Sequence, residues 1–141
     1  DLKKSDTYKY INKSNISHIV HLAGQAGVRY SIKNPGAYVN DNIMAFVNLL
    51  EAFKDSKKLK CLVYASSSSV YGKSKEHFSK NYLLKPISMY AATKMCMELM
   101  SNVYLDLYKL KSIGIRFFTV YGPYGRPDMA YYKFCNHFNS N

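Results

Sequence analysis

Acidic side chains are scarce in this sequence: 9 Asp and Glu stand against 20 Lys and Arg, a formal charge of +11 at pH 7. So basic a balance raises the question of a nucleic-acid partner. Arginine, however, occurs only as Arg29, Arg116 and Arg126, and the lysines are scattered rather than striped along one element. Lys3, Lys4, Lys57, Lys58, Lys60, Lys73, Lys75, Lys80 and Lys85 fall mostly in expected loops or at helix ends, among Asn and Ser. A solvated lysine-rich surface is therefore expected, with no nucleic-acid partner. Cysteine is limited to Cys61, Cys96 and Cys135, far apart and odd in number. That excludes a disulfide framework, and the spacing lacks the Cys/His pattern of a zinc site, so no metal is expected. Reduced thiols in a cytoplasmic protein are the expectation. No run approaches the roughly 20 apolar residues of a membrane span, and no basic-then-apolar leader opens the chain. An initiator Met is also lacking: the chain starts at Asp1 and closes on a polar Asn139-Ser140-Asn141. A fragment of a longer protein is expected.

What is present suits a packed interior. Apolar residues make up 48% of the 141, with 14 Tyr and 7 Phe, enough for one core and too few residues for two. Residues 17–23 (SHIVHLA) form a short β-branched run closed by Gly24, which predicts a buried strand. His18 and His21, three apart on that strand, point to opposite faces. Residues 38–54 repeat at helical spacing, with Val39, Ile43, Phe46, Val47, Leu50 and Phe53 on one face. Residues 60–65 (KCLVYA) predict a second strand, ended by four serines that open a long polar stretch, 66–88. A second helix is predicted over 90–108 with Ala91, Met95, Leu99, Val103 and Leu107 as its apolar face, and a third strand over 112–118. The Gly- and Pro-containing segment 121–127 reads as a loop, followed by a short helix near Met129. Strands alternating with amphipathic helices predict an α/β fold, β-α-β-α-β on a parallel sheet. Ligands of such sheets bind beyond the carboxyl ends of the strands, which gathers segments 23–29, 66–72 and 118–126 at one edge.

Two features there carry chemistry. Tyr90-Ala91-Ala92-Thr93-Lys94 places a phenol and an ammonium one turn apart on one helix face. A neighbouring ammonium favours the phenolate and lowers its pKa from about 10, which makes a tyrosine usable as a general base. Ser66-Ser67-Ser68-Ser69, directly after a strand, offers hydroxyls and free backbone N–H groups at the ligand edge. A Gly24-Gln25-Ala26-Gly27 turn also follows a strand, but it lacks the third glycine and the helix start of a phosphate loop, and reads instead as tight packing under a ligand.

The run Val63-Tyr64-Ala65-Ser66-Ser67-Ser68-Ser69-Val70-Tyr71-Gly72, followed by Tyr90-x-x-x-Lys94, closely resembles the extended short-chain dehydrogenase/reductase family. The resemblance extends from about His18 to Phe138. His21-Leu22-Ala23-Gly24-Gln25-Ala26-Gly27-Val28-Arg29-Tyr30-Ser31 and Arg116-Phe117-Phe118-Thr119-Val120-Tyr121-Gly122-Pro123, with Gly125-Arg126-Pro127-Asp128-Met129, are similar to its UDP-glucuronate 4-epimerase branch. The resemblance implies a Rossmann-type doubly wound sheet, bound NAD, a UDP-sugar substrate and a homodimer through helices such as 38–54 and 90–108. It implies that Ser67, Tyr90 and Lys94 are catalytic, Tyr90 taking the proton of the sugar 4-hydroxyl and Ser67 sharing the hydrogen bond to that oxygen. Leu22, Ala23 and Gly24 would pass beneath the cofactor, with Lys94 on its ribose, Tyr90 beside it and Phe118 at its nicotinamide side. Ser68, Ser69, Thr119 and Arg126 would face the substrate, Arg126 toward a diphosphate or carboxylate.

Departures from the pattern narrow the reading. Related dehydratases and decarboxylases carry an Asp or Glu just after the catalytic hydroxyl; Ser68 and Ser69 stand there, which favours reversible oxidation at one carbon over elimination. The family's Gly-x-x-Gly-x-x-Gly phosphate loop precedes no strand of this chain. The expectation is thus a partial NAD-binding domain over 1–141 without its glycine-rich unit, with a substrate lobe beginning at about 119, and little NAD binding by this stretch alone. Another UDP-hexose 4-epimerase of the same family, or a non-catalytic fragment, remains the alternative.

Overall fold

The computed structural model describes residues 1–11, 13–73 and 83–139. Residues 74–82, part of the polar stretch 66–88 and including Lys75 and Lys80, lie outside the described residues, as does the end of the tail from Ser140. Three parallel strands, β1 (His18–His21), β2 (Cys61–Ser67) and β3 (Ser112–Phe117), lie in the order β1-β2-β3. The register pairs His21 with Tyr64 and Ser67 with Phe117, so all three strands deliver their carboxyl ends to one edge. β1 is shorter than expected: Leu22, Ala23 and Gly24 have already left the sheet.

Helices α1 (Val28–Lys33), α2 (Pro35–Tyr38) and α3 (Ala45–Phe53) join β1 to β2; α4 (Met89–Tyr108) precedes β3, and α5 (Ala130–Asn139) follows it. The start of α1 corrects the reading of Gly24–Gly27 as a turn without a helix: Gly27, at φ +108, ends the turn in a conformation L side chains rarely adopt, and the helix begins at the next residue. Asn34 accepts a hydrogen bond from the Ala37 N–H at 3.3 Å and Pro35 occupies the first turn, which starts α2.

The single helix expected over 38–54 is instead interrupted by a π-helical segment, Val39–Met44. Its wider turn shifts the inward face. Phe46, Leu50 and Phe53 are buried as expected, but Val39 is exposed and Ile43 and Val47 are only half-buried, while Tyr38, Asn42, Ala45 and Leu49 point inward. The face of α4 also differs from expectation. Ala91 is buried, but Leu99, Val103 and Leu107 are 55%, 51% and 67% exposed, and Thr93, Lys94, Met97 and Ser101 are buried in their place. The cause is polar pairing across the helix–sheet interface: Tyr64 and Ser101 hydroxyls lie 2.8 Å apart, and Ser66 donates to Glu98. A Cβ at Gly114, opposite Tyr64 in the register, would come within 2.6 Å of the Tyr64 hydroxyl, so β3 gives way there to the tyrosine.

The core joins Phe46, Leu49, Leu50 and Phe53 of α3 to Leu62 and Tyr64 of β2 and Met97 of α4. The opposite sheet face leaves Val20, Ile113, Ile115 and Phe117 exposed among the described residues. The architecture is a Rossmann-like α/β sheet.

Candidate functional site

Lys94 is the centre of the carboxyl edge. Its side chain is 4% exposed and its ammonium donates to the Ala65 carbonyl at 2.8 Å, which ties α4 to β2 two residues before Ser67. Burial lowers its pKa to about 8. A Cβ at Gly24 would lie 3.7 Å from this nitrogen, so the turn after β1 passes directly by the ammonium. With one carbonyl bonded, two of its three donors have no partner among the described residues and are left for a ligand over the turn. Tyr90, one helical turn earlier, is half-buried, its ring meeting the edge of Tyr38 at 6.0 Å between centroids. Ser88 accepts from the Ala91 N–H at 3.1 Å, so α4 starts at this point and Tyr90 stands in its first turn.

Ser67 ends β2 and caps the 3₁₀ turn Ser68–Tyr71; its hydroxyl accepts from the Ser69 N–H at 3.2 Å and donates to the Ser69 hydroxyl at 3.1 Å. Ser68 and Ser69 are half-buried in that turn. Leu22, Ala23 and Gly24 are exposed above the sheet edge. Phe118 and Thr119 open a cleft of about 830 Å³ together with Tyr121, Tyr131 and Tyr132. Its lining includes none of Ser67, Tyr90 and Lys94, so the expected substrate-facing residues fall into two groups. Arg126 belongs with the Tyr90 group: a Cβ at Gly27 would lie 3.3 Å from its guanidinium, and after the Asp128 carboxylate the Tyr38 and Tyr90 phenols are among the groups that raise its pKa.

Three residues of this edge were not anticipated from the sequence. Asn42, 1% exposed, accepts from the Gln25 N–H at 2.8 Å and donates to the Gln25 carbonyl at 3.1 Å and the Thr93 hydroxyl at 3.0 Å. It clamps the turn after β1 to the residue beside Lys94. Tyr38 bonds through its hydroxyl to the Ala26 and Gly27 carbonyls, holding the next part of the same turn. Glu98, one turn beyond Lys94, accepts from Ser66 and from Arg116. A signal for Glu98 was available, since it is the only acidic residue in 89–105 of a chain poor in them. Asn42 gave none that distinguishes it from a surface amide.

His21, at the end of β1, stacks on Phe46 with centroids 5.6 Å apart, and its buried Nε2 has no hydrogen-bond partner among the described residues. Burial, and then the charge of Lys94, lower its pKa from 6.5 to about 4. Between those values the unfolded chain binds a proton that the folded one does not, so stability rises with pH across that window and is lost on acidification through it. Urea unfolding of the full-length protein at pH 4.5 and 7 should show that loss, and His21→Phe should flatten it. An equal loss in the variant would assign the acid sensitivity elsewhere.

Among the described residues no group of three or more His, Cys, Asp or Glu is placed to hold a metal ion. No helix among them is long and apolar enough to cross a membrane. A family model described as the NAD dependent epimerase/dehydratase family matches residues 1–141. The chain is 56% identical over 120 residues to UDP-glucuronate 4-epimerase 5 of Arabidopsis thaliana, covering 84% of this chain and 28% of the relative. Among solved structures it is similar to UDP-glucuronic acid 4-epimerase from Bacillus cereus in complex with UDP-glucuronic acid and NAD: TM-score 0.85, 36% identity, 94% of this chain and 44% of that one. A tyrosine-to-phenylalanine mutant of that enzyme, with UDP-4-deoxy-4-fluoro-glucuronic acid and NAD, matches at TM-score 0.91 and 36% identity over 99% of this chain and 44% of that chain. This chain thus spans less than half the length of each.

Proposed function

The chain belongs to the NAD-dependent epimerase/dehydratase family, and from that premise we propose that the full-length protein carrying it interconverts UDP-glucuronate and UDP-galacturonate. The observation that carries the proposal is Lys94: a buried ammonium fixed to the end of β2, beside the turn after β1 and one helical turn from Tyr90. Bound NAD would supply reversible oxidation of the sugar at C4. The donor set suits it, because Lys94 keeps two N–H donors for a ribose and Leu22, Ala23 and Gly24 form an exposed ledge at the carboxyl edge.

Tyr90, as phenolate, takes the proton of the 4-hydroxyl as the 4-keto sugar forms, and returns it to the 4-oxygen when the sugar is reduced on its other face. Ser67, its hydroxyl turned from Ser69, donates to the same oxygen, and Lys94 donates to the nicotinamide ribose beside Tyr90. Phe118 closes the nicotinamide side. Ser68 and Ser69 offer hydroxyls to the sugar carboxylate, Thr119 faces the substrate, and Arg126 takes the diphosphate. The substrate lobe begins near residue 119. The exposed Leu99, Val103 and Leu107 stripe of α4 supports a homodimer through α3 and α4. A cytoplasmic location accords with three free cysteines.

Incubating the full-length protein with UDP-glucuronate and NAD, with chromatographic separation of the products, should yield UDP-galacturonate. Unchanged UDP-glucuronate with turnover of UDP-glucose would move the assignment to hexose epimerisation.

A further inference from the structure

Among the described residues, Arg126 is held by one edge only. Its Nε and one terminal nitrogen donate to the two carboxylate oxygens of Asp128 at 3.0 and 2.6 Å. A guanidinium has five N–H donors, and this side-on pairing leaves the end-on pair of nitrogens open. Those two nitrogens lie over Gly27, 3.3 and 3.8 Å from where a Cβ would stand, with the Tyr38 hydroxyl also 3.8 Å from that point. A side chain at residue 27 would obstruct them. Both partners of the ion pair are about half exposed, at 49% and 59%, and such pairs add little to fold stability. The Met129 N–H bonds to the Arg126 carbonyl at 3.2 Å, so Asp128 sits in a closed turn that presents it to the arginine two residues back.

We propose that Asp128 is a positioning residue: it fixes the plane of Arg126 so that the open edge is presented beside Tyr90 to the diphosphate of the nucleotide sugar. This rests on the reading of Arg126 as substrate-facing. The alternative role for Asp128, a competitor that occupies the arginine until an anion displaces it, predicts the opposite sign when the carboxylate is removed.

The test is calorimetric titration of the full-length protein with UDP, which carries the diphosphate without a sugar carboxylate. Asp128→Asn should weaken UDP binding about tenfold, as expected for loss of an oriented charge-assisted contact. It should lower kcat/KM for UDP-glucuronate and UDP-glucose by the same factor, with a smaller effect on kcat, while the thermal midpoint stays at the wild-type value. Asp128→Glu, which keeps the carboxylate, should recover most of the affinity. UDP binding by Asp128→Asn that equals or exceeds wild type overturns the proposal, as does a wild type that does not bind UDP. A loss seen with UDP-glucuronate alone overturns the diphosphate assignment in favour of the sugar carboxylate. Normal UDP binding by the variant, in a protein that epimerises UDP-glucuronate, refutes the role of Asp128 and leaves the proposed activity standing. A tenfold weaker variant in a protein without that activity does the reverse.

Discussion

Replacing Tyr90 with Phe in the full-length protein is expected to lower kcat with UDP-glucuronate by about a thousandfold or more, the upper part of the range for loss of a general base. The change removes one oxygen. The ring keeps its edge contact with Tyr38, and Lys94 keeps its bond to Ala65, so the protein should unfold at the wild-type temperature. Lys94→Met should also reduce turnover, but by a different route: it leaves the phenol in place and removes the donor that ties α4 to the Ala65 carbonyl and reaches a bound ligand. Activity in Tyr90→Phe above about a tenth of wild type would remove Tyr90 from the reaction.

Replacing Glu98 with Leu is expected to cost about 1–3 kcal/mol of stability, the usual loss when a partly buried polar group is left without its partner. Glu98 and Arg116 are 15% and 19% exposed and pair through two bonds of 2.7 and 2.9 Å, and the Arg116 guanidinium lies 4.9 Å over the Tyr71 ring. Without the carboxylate, Arg116 is left charged between helix and sheet, and the Ser66 hydroxyl loses its acceptor. The double variant Glu98→Leu with Arg116→Met also removes the unpaired guanidinium and should be more stable than Glu98→Leu alone. Urea unfolding of the three proteins checks this. A double variant as unstable as the single would show that packing around α4, and not the stranded charge, sets the cost. Activity should fall along with stability in the single variant, because Ser66 precedes Ser67 and Glu98 lies one turn beyond Lys94.

Much of this was legible in the sequence where one local pattern decided the outcome. β2 and β3 are short β-branched and apolar runs bounded by polar residues, and they form within two residues of expectation. Tyr90 and Lys94 share a helix face because i and i+4 do so in any α-helix. What was not legible depended on partners distant in the chain. Apolar periodicity assigned Leu99, Val103 and Leu107 to the inner face of α4, but the sheet offers Tyr64, Ser66 and Arg116 at that surface, so the helix turns Glu98 and Ser101 toward them. The π segment was invisible to a count at helical spacing, because the inward turn of Asn42 is set by Gln25 and Thr93, 17 and 51 residues away. The start of α1 was missed because Val28 follows a glycine turn with no side-chain cap.

Of the proposed steps, return of hydrogen to the same carbon is the one that separates epimerisation at C4 from every other use of this edge. UDP-glucuronate carrying deuterium at C4, incubated in ordinary water with the full-length protein and NAD, should give UDP-galacturonate that retains the deuterium at C4, with none entering the solvent. Product in which C4 carries hydrogen from water would contradict oxidation and reduction at that carbon as the course of the reaction.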